Sequence, residues 1–180
     1  GIKMSDFGTI LMIWALIQSI LPVFTGGLSD RYGYKETIFA STVVKIMGYL
    51  RCAKEAFPHM EQKGWGRIVN VSSGTTVMGR PNYLHYITTK SAMIGMSRSM
   101  ARELGPWNIT VNTFWPGVMQ TEVERPSVPK KMFEVLTGNQ ALPRQGTIHD
   151  LAKAMLFLCS DEAAYITGQN MLPDGGANMI

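Results

Sequence analysis

Three side chains in this sequence have the types and spacing to move a proton at an oxygen: Ser73, Tyr86 and Lys90. Tyr86 and Lys90 stand at i and i+4, so on a helix both project from one face. An ammonium beside a phenol favours phenolate and lowers a pKa that is otherwise about 10. That arrangement makes Tyr86 an acid/base usable near neutral pH. Ser73 ends the run RIVNVSS, where open α/β sheets form their ligand crevice, and its hydroxyl can hydrogen-bond the same oxygen. Each part alone is bland. Y-x-x-x-K is common surface decoration on helices, and a serine at a strand end is ordinary.

The elements that must position these residues show in the periodicity. From Tyr49, YLRCAKEAFPHM places Leu50, Ala53, Ala56, Phe57 and Met60 on one side of a helix. A glycine turn at Gly64 and Gly66 leads into RIVNVSS, a β-branched run with the character of a buried parallel strand. Pro81-Asn82 open a helix predicted from about Tyr83 to Leu104, stopped by Gly105-Pro106. NITVNTFW, 108–115, reads as a second strand before the Pro116-Gly117 loop, and QNMLPDGG supplies a third near 169–172. Thr147 followed by Asp150 resembles a capping box, starting a helix that runs to about Cys159. Strands alternating with helices predict an α/β fold with a parallel sheet and crossover helices.

GRIVNVSS, the interval from Ser73 to Tyr86, YITTK, ITVNTFWPGVMQT, ITGQ and DGG occur in that order. Together they resemble the C-terminal half of the short-chain dehydrogenase/reductase family over residues 49–180. The resemblance implies part of a Rossmann-like, doubly wound parallel sheet and an NAD- or NADP-dependent interconversion of a carbonyl and an alcohol. It implies that Tyr86 exchanges the proton, that Lys90 also holds the nicotinamide ribose, and that Ser73 orients the substrate. Pro116, Gly117, Val118, Met119 and Thr121 are implied contacts of the nicotinamide carboxamide. Asn70 lies on the strand lining the cofactor cleft, either there or as a hydrogen bonder within the fold. The loop 120–145 matches the family's variable substrate lid; its Met132, Phe133 and Leu136 suit an apolar pocket wall or plain helix packing.

Two departures stand out. The glycine-rich turn that seats the pyrophosphate on a helix N-terminus is absent from the sequence, as is the residue that selects NAD or NADP. The family's V-N-x-x-G pattern reads Val44-Lys45-Ile46-Met47-Gly48, so Lys45 takes the place of an asparagine in a proton relay. Little or no dehydrogenase activity is therefore expected of these residues alone.

The remaining residues have a different character. Hydrophobic residues make up 46% of the 180, ordinary for a globular chain, but charge is uneven. Residues 1–50 hold seven charged side chains out of 30. Phe7–Phe24 form an apolar run near the length of a membrane-spanning helix, with a buried soluble helix as the alternative. GGLSDRYGYK, 26–35, resembles the loop between the second and third membrane helices of major facilitator superfamily transporters, on Gly26, Asp30, Arg31, Gly33 and Lys35. The expected organisation is thus an apolar helical, transporter-like segment over 1–48 and the dehydrogenase half over 49–180. The seam falls at about 45–50, and Lys45 comes from the left-hand parent.

The net charge of +4 is scattered, which argues against a nucleic-acid partner. Cys52 and Cys159 stand alone and the three histidines are widely spaced, so a reducing compartment and no metal site are expected. The expected partners are a small carbonyl or alcohol substrate and further copies of the chain, through helices near 49–60 and 83–104. The expected location is cytoplasmic; in the alternative, residues 7–50 hold the chain at the inner membrane, or the chain is a non-catalytic association module.

Overall fold

The computed structural model describes residues 34–119 and 130–180. The apolar run 7–24, most of the transporter-like loop and Thr121 lie outside them. The chain divides into two compact units, 1–44 and 45–180. Among the described residues no helix is long and apolar enough to cross a membrane.

Helix α1, Tyr34–Lys63, runs unbroken through the expected seam and carries Pro58 inside it. Strand β1, Gly66–Val71, follows the Gly64 turn, where φ is +58°. The short helix α2, Thr75–Met78, leads to the long helix α3, Leu84–Leu104. A 3-10 turn, Gly105–Trp107, precedes β2, Ile109–Phe114. Helices α4, Lys130–Gly138, and α5, Ile148–Cys159, come before the two-residue strand β3, Asn170–Met171. The order β1-β2-β3 is parallel throughout, as the alternation of strands and helices predicts. Every residue of β2 is buried, because strands flank it on both edges and α3 packs against it.

Alternation along the strands assigns the faces. Ile68 and Val111 pack with Met96, Met100, Ala101 and Leu104 of α3 and with Ala53 of α1. Fully burying an aliphatic side chain of this size is worth about 1.5–3 kcal/mol. The opposite face of β1 carries Arg67, whose Nε donates to the Ser160 carbonyl at 3.1 Å and whose Nη2 reaches Asp161 Oδ1 at 3.2 Å. Trp65 Nε1 donates to the same carboxylate oxygen at 2.7 Å, and the guanidinium lies 4.7 Å from the Trp65 ring centroid. This clamp ties the end of α5 to the start of β1.

Helix α5 begins as its sequence predicts. The Asp150 carboxylate accepts from Thr147 N–H and Thr147 Oγ1, both at 2.9 Å. It also takes a two-pronged bond from Arg144 at 2.9 Å on each oxygen, and these donors hold the Asp150 carboxyl well below the usual carboxylate range.

Candidate active site

The carboxyl ends of the three strands converge. Gly74 N–H donates to the Pro116 carbonyl at 3.2 Å, tying the loop after β1 to the loop after β2. Gly117 N–H makes a long contact of 3.5 Å to the Pro173 carbonyl after β3. Gly117 must be glycine here: a Cβ would lie 2.6 Å from Asp174 Cβ and 2.9 Å from its Cα. Asp174 cannot easily retreat. It is 3% exposed, and its carboxylate accepts from Gly176 N, Asn178 N and Asn178 Nδ2 at 2.8–3.0 Å.

Ser73 sits just beyond β1 and is buried. Its Oγ donates to Thr75 Oγ1 at 3.2 Å and accepts from Thr75 N at 3.3 Å, an ordinary serine turn that fixes the hydroxyl at the crevice. Next to it, Ser72 Oγ donates to the Lys90 carbonyl at 2.7 Å, pinning α3 against the end of β1. Lys90 is half-buried, and its Nζ donates to the Val71 carbonyl at 2.7 Å. Burial, then the nearby charge of Lys45, pushes the Lys90 ammonium below its ordinary value.

Tyr86 lies one helical turn earlier on α3. Its ring meets Tyr83 edge-on, centroids 5.9 Å apart at 82°, and Tyr83 in turn carries the Arg80 guanidinium 4.4 Å above it. On α1, Tyr49 is half-buried, which raises its phenol above the ordinary value, and Tyr86 and Cys52 add to that rise.

Ser73, Tyr86 and Lys90 are thus carried by β1 and α3 at one end of the sheet. Asn70 takes the second of its two expected roles. It shares the even-numbered face of β1 with Ile68 and Ser72, and its Nδ2 donates to Ser97 Oγ of α3 at 2.8 Å, so its amide is committed to helix packing. Pro116, Gly117 and Val118 lie in the loop that follows β2. Met119 is buried and lines a cavity together with Gln140, Leu142, Arg144, Pro173 and Asp174. Trp115 was not singled out by its spacing. It is 5% exposed and its indole N–H has no hydrogen-bond partner among the described residues. Thr75 was also missed, although the string S-S-G-T-T carries the serine-turn signal.

Comparisons with known proteins agree with this arrangement. Residues 34–178 match the sequence profile of the family described as Enoyl-(Acyl carrier protein) reductase; the match takes in residues on both sides of the expected seam. The chain is 35% identical over 147 residues to a 3alpha-hydroxysteroid dehydrogenase of Mediterraneibacter gnavus, covering 81% of this chain and 58% of that protein. It is 37% identical over 129 residues to the 3-oxoacyl-(acyl-carrier-protein) reductase FabG of Pseudomonas aeruginosa, covering 72% and 52%. A short-chain type dehydrogenase/reductase of Mycobacterium ulcerans superposes with a TM-score of 0.72 at 29% identity, over 79% of this chain and 52% of that one. The TT0495 protein of Thermus thermophilus superposes with a TM-score of 0.71 at 31% identity, over 79% and 61%. The chain spans about half the length of the curated relatives it matches, 52% and 58% of the two proteins compared. In sequence and in fold alike, the chain belongs to the short-chain dehydrogenase/reductase family.

Proposed function

We propose that this chain carries the proton-transfer half of an NAD- or NADP-dependent oxidoreductase that interconverts a carbonyl and an alcohol. The observation that carries the reading is the placing of Ser73 and Lys90 at the end of β1. Both are fixed by bonds of their own, to Thr75 and Val71, and Tyr86 stands one turn away on the same helix. Two relatives are named for the two directions of such an interconversion, a hydroxysteroid dehydrogenase and a 3-oxoacyl reductase.

The residues present fit the nicotinamide end of such a cofactor. The lack of a Cβ at Gly117 lets Asp174 close against the loop, and Lys90, whose Nζ donates to the Val71 carbonyl, carries the ammonium that would turn to ribose hydroxyls. Pro116, Val118 and Met119 border the place of the carboxamide, with Thr121 beyond the described residues. When bound, the nicotinamide supplies or accepts the hydride. The chain's own work is the proton. Tyr86 Oη gives it to the substrate oxygen on reduction and takes it back on oxidation. Ser73 Oγ holds that oxygen, and a Lys90 ammonium stabilises the phenolate that forms.

The measurement that tests this is carbonyl reduction with reduced nicotinamide dinucleotide by the chain and by Tyr86→Phe. A positioned acid/base is worth about 10²–10⁴-fold, so residual turnover should fall by at least about 100-fold in the variant. Turnover that survives Tyr86→Phe sinks the assignment. Turnover of residues 1–180 alone is expected to be slight, because the glycine-rich turn is not among them. Self-association through α1 and α3 belongs to the same reading, on the exposed Met47, Leu50 and Leu84. A monomer by light scattering at high concentration refutes that part.

A further inference from the structure

The segment joining β1 to α3 carries Ser73 near its start, and Tyr86 stands just inside α3. Between them runs R-P-N-Y, residues 80–83. Tyr83 N–H donates to the Arg80 carbonyl at 3.2 Å; Pro81 takes the second position of this turn and Asn82 the third, at φ +64°. Proline followed by a residue of positive φ is the pattern of a type II turn. Such a turn brings its first and fourth residues together, and here these are Arg80 and Tyr83.

Their side chains stack. The Arg80 guanidinium carbon lies 4.4 Å from the Tyr83 ring centroid, and that ring meets Tyr86 edge-on at 5.9 Å. The order runs outward from the chemistry: Tyr86 and Tyr83 are half-buried and Arg80 is exposed. A ring covers one face of the guanidinium and leaves its N–H edge free, and that edge is the part that forks onto a carboxylate. No acid of the surrounding sequence claims it. Neither Asp nor Glu occurs between Glu61 and Glu103, and the ion pairs among the described residues join Arg67 to Asp161 and Arg144 to Asp150. An unpaired surface arginine is commonplace; one fixed by a turn and a ring beside the proton-bearing tyrosine is placed to receive something.

We propose that Arg80, held on the Tyr83 ring, binds a carboxylate at the far end of the substrate, so that the chain selects carbonyl or alcohol compounds with an acid group several bonds from the reacting carbon. Several bonds are needed because two ring contacts in series separate the guanidinium from the Tyr86 ring. Carboxylate is favoured over phosphate because residues 72–89 hold one Lys or Arg side chain, a match for one negative charge rather than nearly two. The substrate class rests on the catalytic reading given above; the binding of a carboxylate at Arg80 does not.

The probes are oxoheptanoate with its ketone far from the acid, its primary amide, and heptanoate, which has no ketone. Binding is followed by NMR on the Tyr83 ring resonances, present in every variant. The keto acid should bind about 10-fold more tightly than the amide, and Arg80→Gln should erase that difference. Arg80→Lys keeps the charge and loses the fork, so it should retain only part of the preference. Where turnover is measured, Arg80→Gln should raise KM for the acid about 10-fold and not for the amide. The proposal falls if acid and amide bind alike, if neither binds the folded chain, or if the preference survives Arg80→Gln. A matched ketophosphate that binds more tightly than the acid through Arg80 overturns the choice of carboxylate. Heptanoate separates this proposal from the catalytic reading. Its Arg80-dependent binding upholds the anion site even where turnover survives Tyr86→Phe; its failure to bind, with Tyr86-dependent turnover intact, overturns the site alone.

Discussion

Replacing Gly117 by alanine adds one methyl group at the tightest point of the crevice. That Cβ would stand 2.6 Å from Asp174 Cβ and 2.9 Å from Asp174 Cα, against about 3.5–4.0 Å for carbons in contact. Neither partner yields cheaply, since Asp174 is buried and its carboxylate is bound by three donors. The backbone must therefore separate by about 1 Å, on that contact distance. The separation strains the Gly74–Pro116 and Gly117–Pro173 links. Overpacking costs about 1–3 kcal/mol and a strained hydrogen bond about 1 kcal/mol, giving about 2–4 kcal/mol in all. For a chain of this size that lowers Tm by about 6–15 °C. Gly95 provides the control: it is exposed on α3 and a Cβ there meets nothing within 4 Å. Gly95→Ala should stabilise by about 0.5–1 kcal/mol through helix propensity. Urea unfolding followed by circular dichroism reads both variants. If Gly117→Ala unfolds at the wild-type midpoint or above it, the close approach of the two loops is wrong.

Asn70→Ala and Ser97→Ala each leave a buried partner unsatisfied, at about 1–3 kcal/mol; the double variant should cost less than their sum in a double-mutant cycle. Lys45→Asn removes the like charge beside Lys90, so the Lys90 ammonium should titrate closer to its ordinary value by NMR; no movement refutes the coupling. Because burial and Lys45 lower Lys90 in the folded chain, the unfolded chain binds more protons between the folded and ordinary values. Lys90's contribution to stability should therefore rise with pH as about 10.5 is approached from below. Lys90→Met should flatten that rise in unfolding measurements at pH values below about 10.5.

Periodicity located β1, α3, β2 and α5 to within a residue or two, because each buries a face whose pattern is local. Asn70 was less legible. Alternation says that it shares a face with Ile68 and Ser72, but only the packing of α3 shows that Ser97 waits there. The need for glycine at position 117 was hidden for a similar reason, since it depends on Asp174, distant in the chain. The change of charge density near residues 45–50 falls inside one helix, since α1 is helical from Tyr34 to Lys63. Helix stability in a folded chain comes mostly from packing of a face rather than from composition, so composition and element boundaries need not coincide.

The parallel register also has a kinetic consequence. Gly66 pairs with Ile109, a separation of 43 residues (109 − 66), and Thr113 pairs with Asn170, a separation of 57 (170 − 113). Contacts this distant in sequence place the chain among slower-folding topologies. The difference in closure entropy between the two loops is only about 0.2 kcal/mol, too little to order the steps. The ladders differ far more, with six registered pairs between β1 and β2 and two between β2 and β3. Docking of residues 170–178 should therefore come last in folding, and that wall of the crevice should be the first to open in native-state hydrogen exchange.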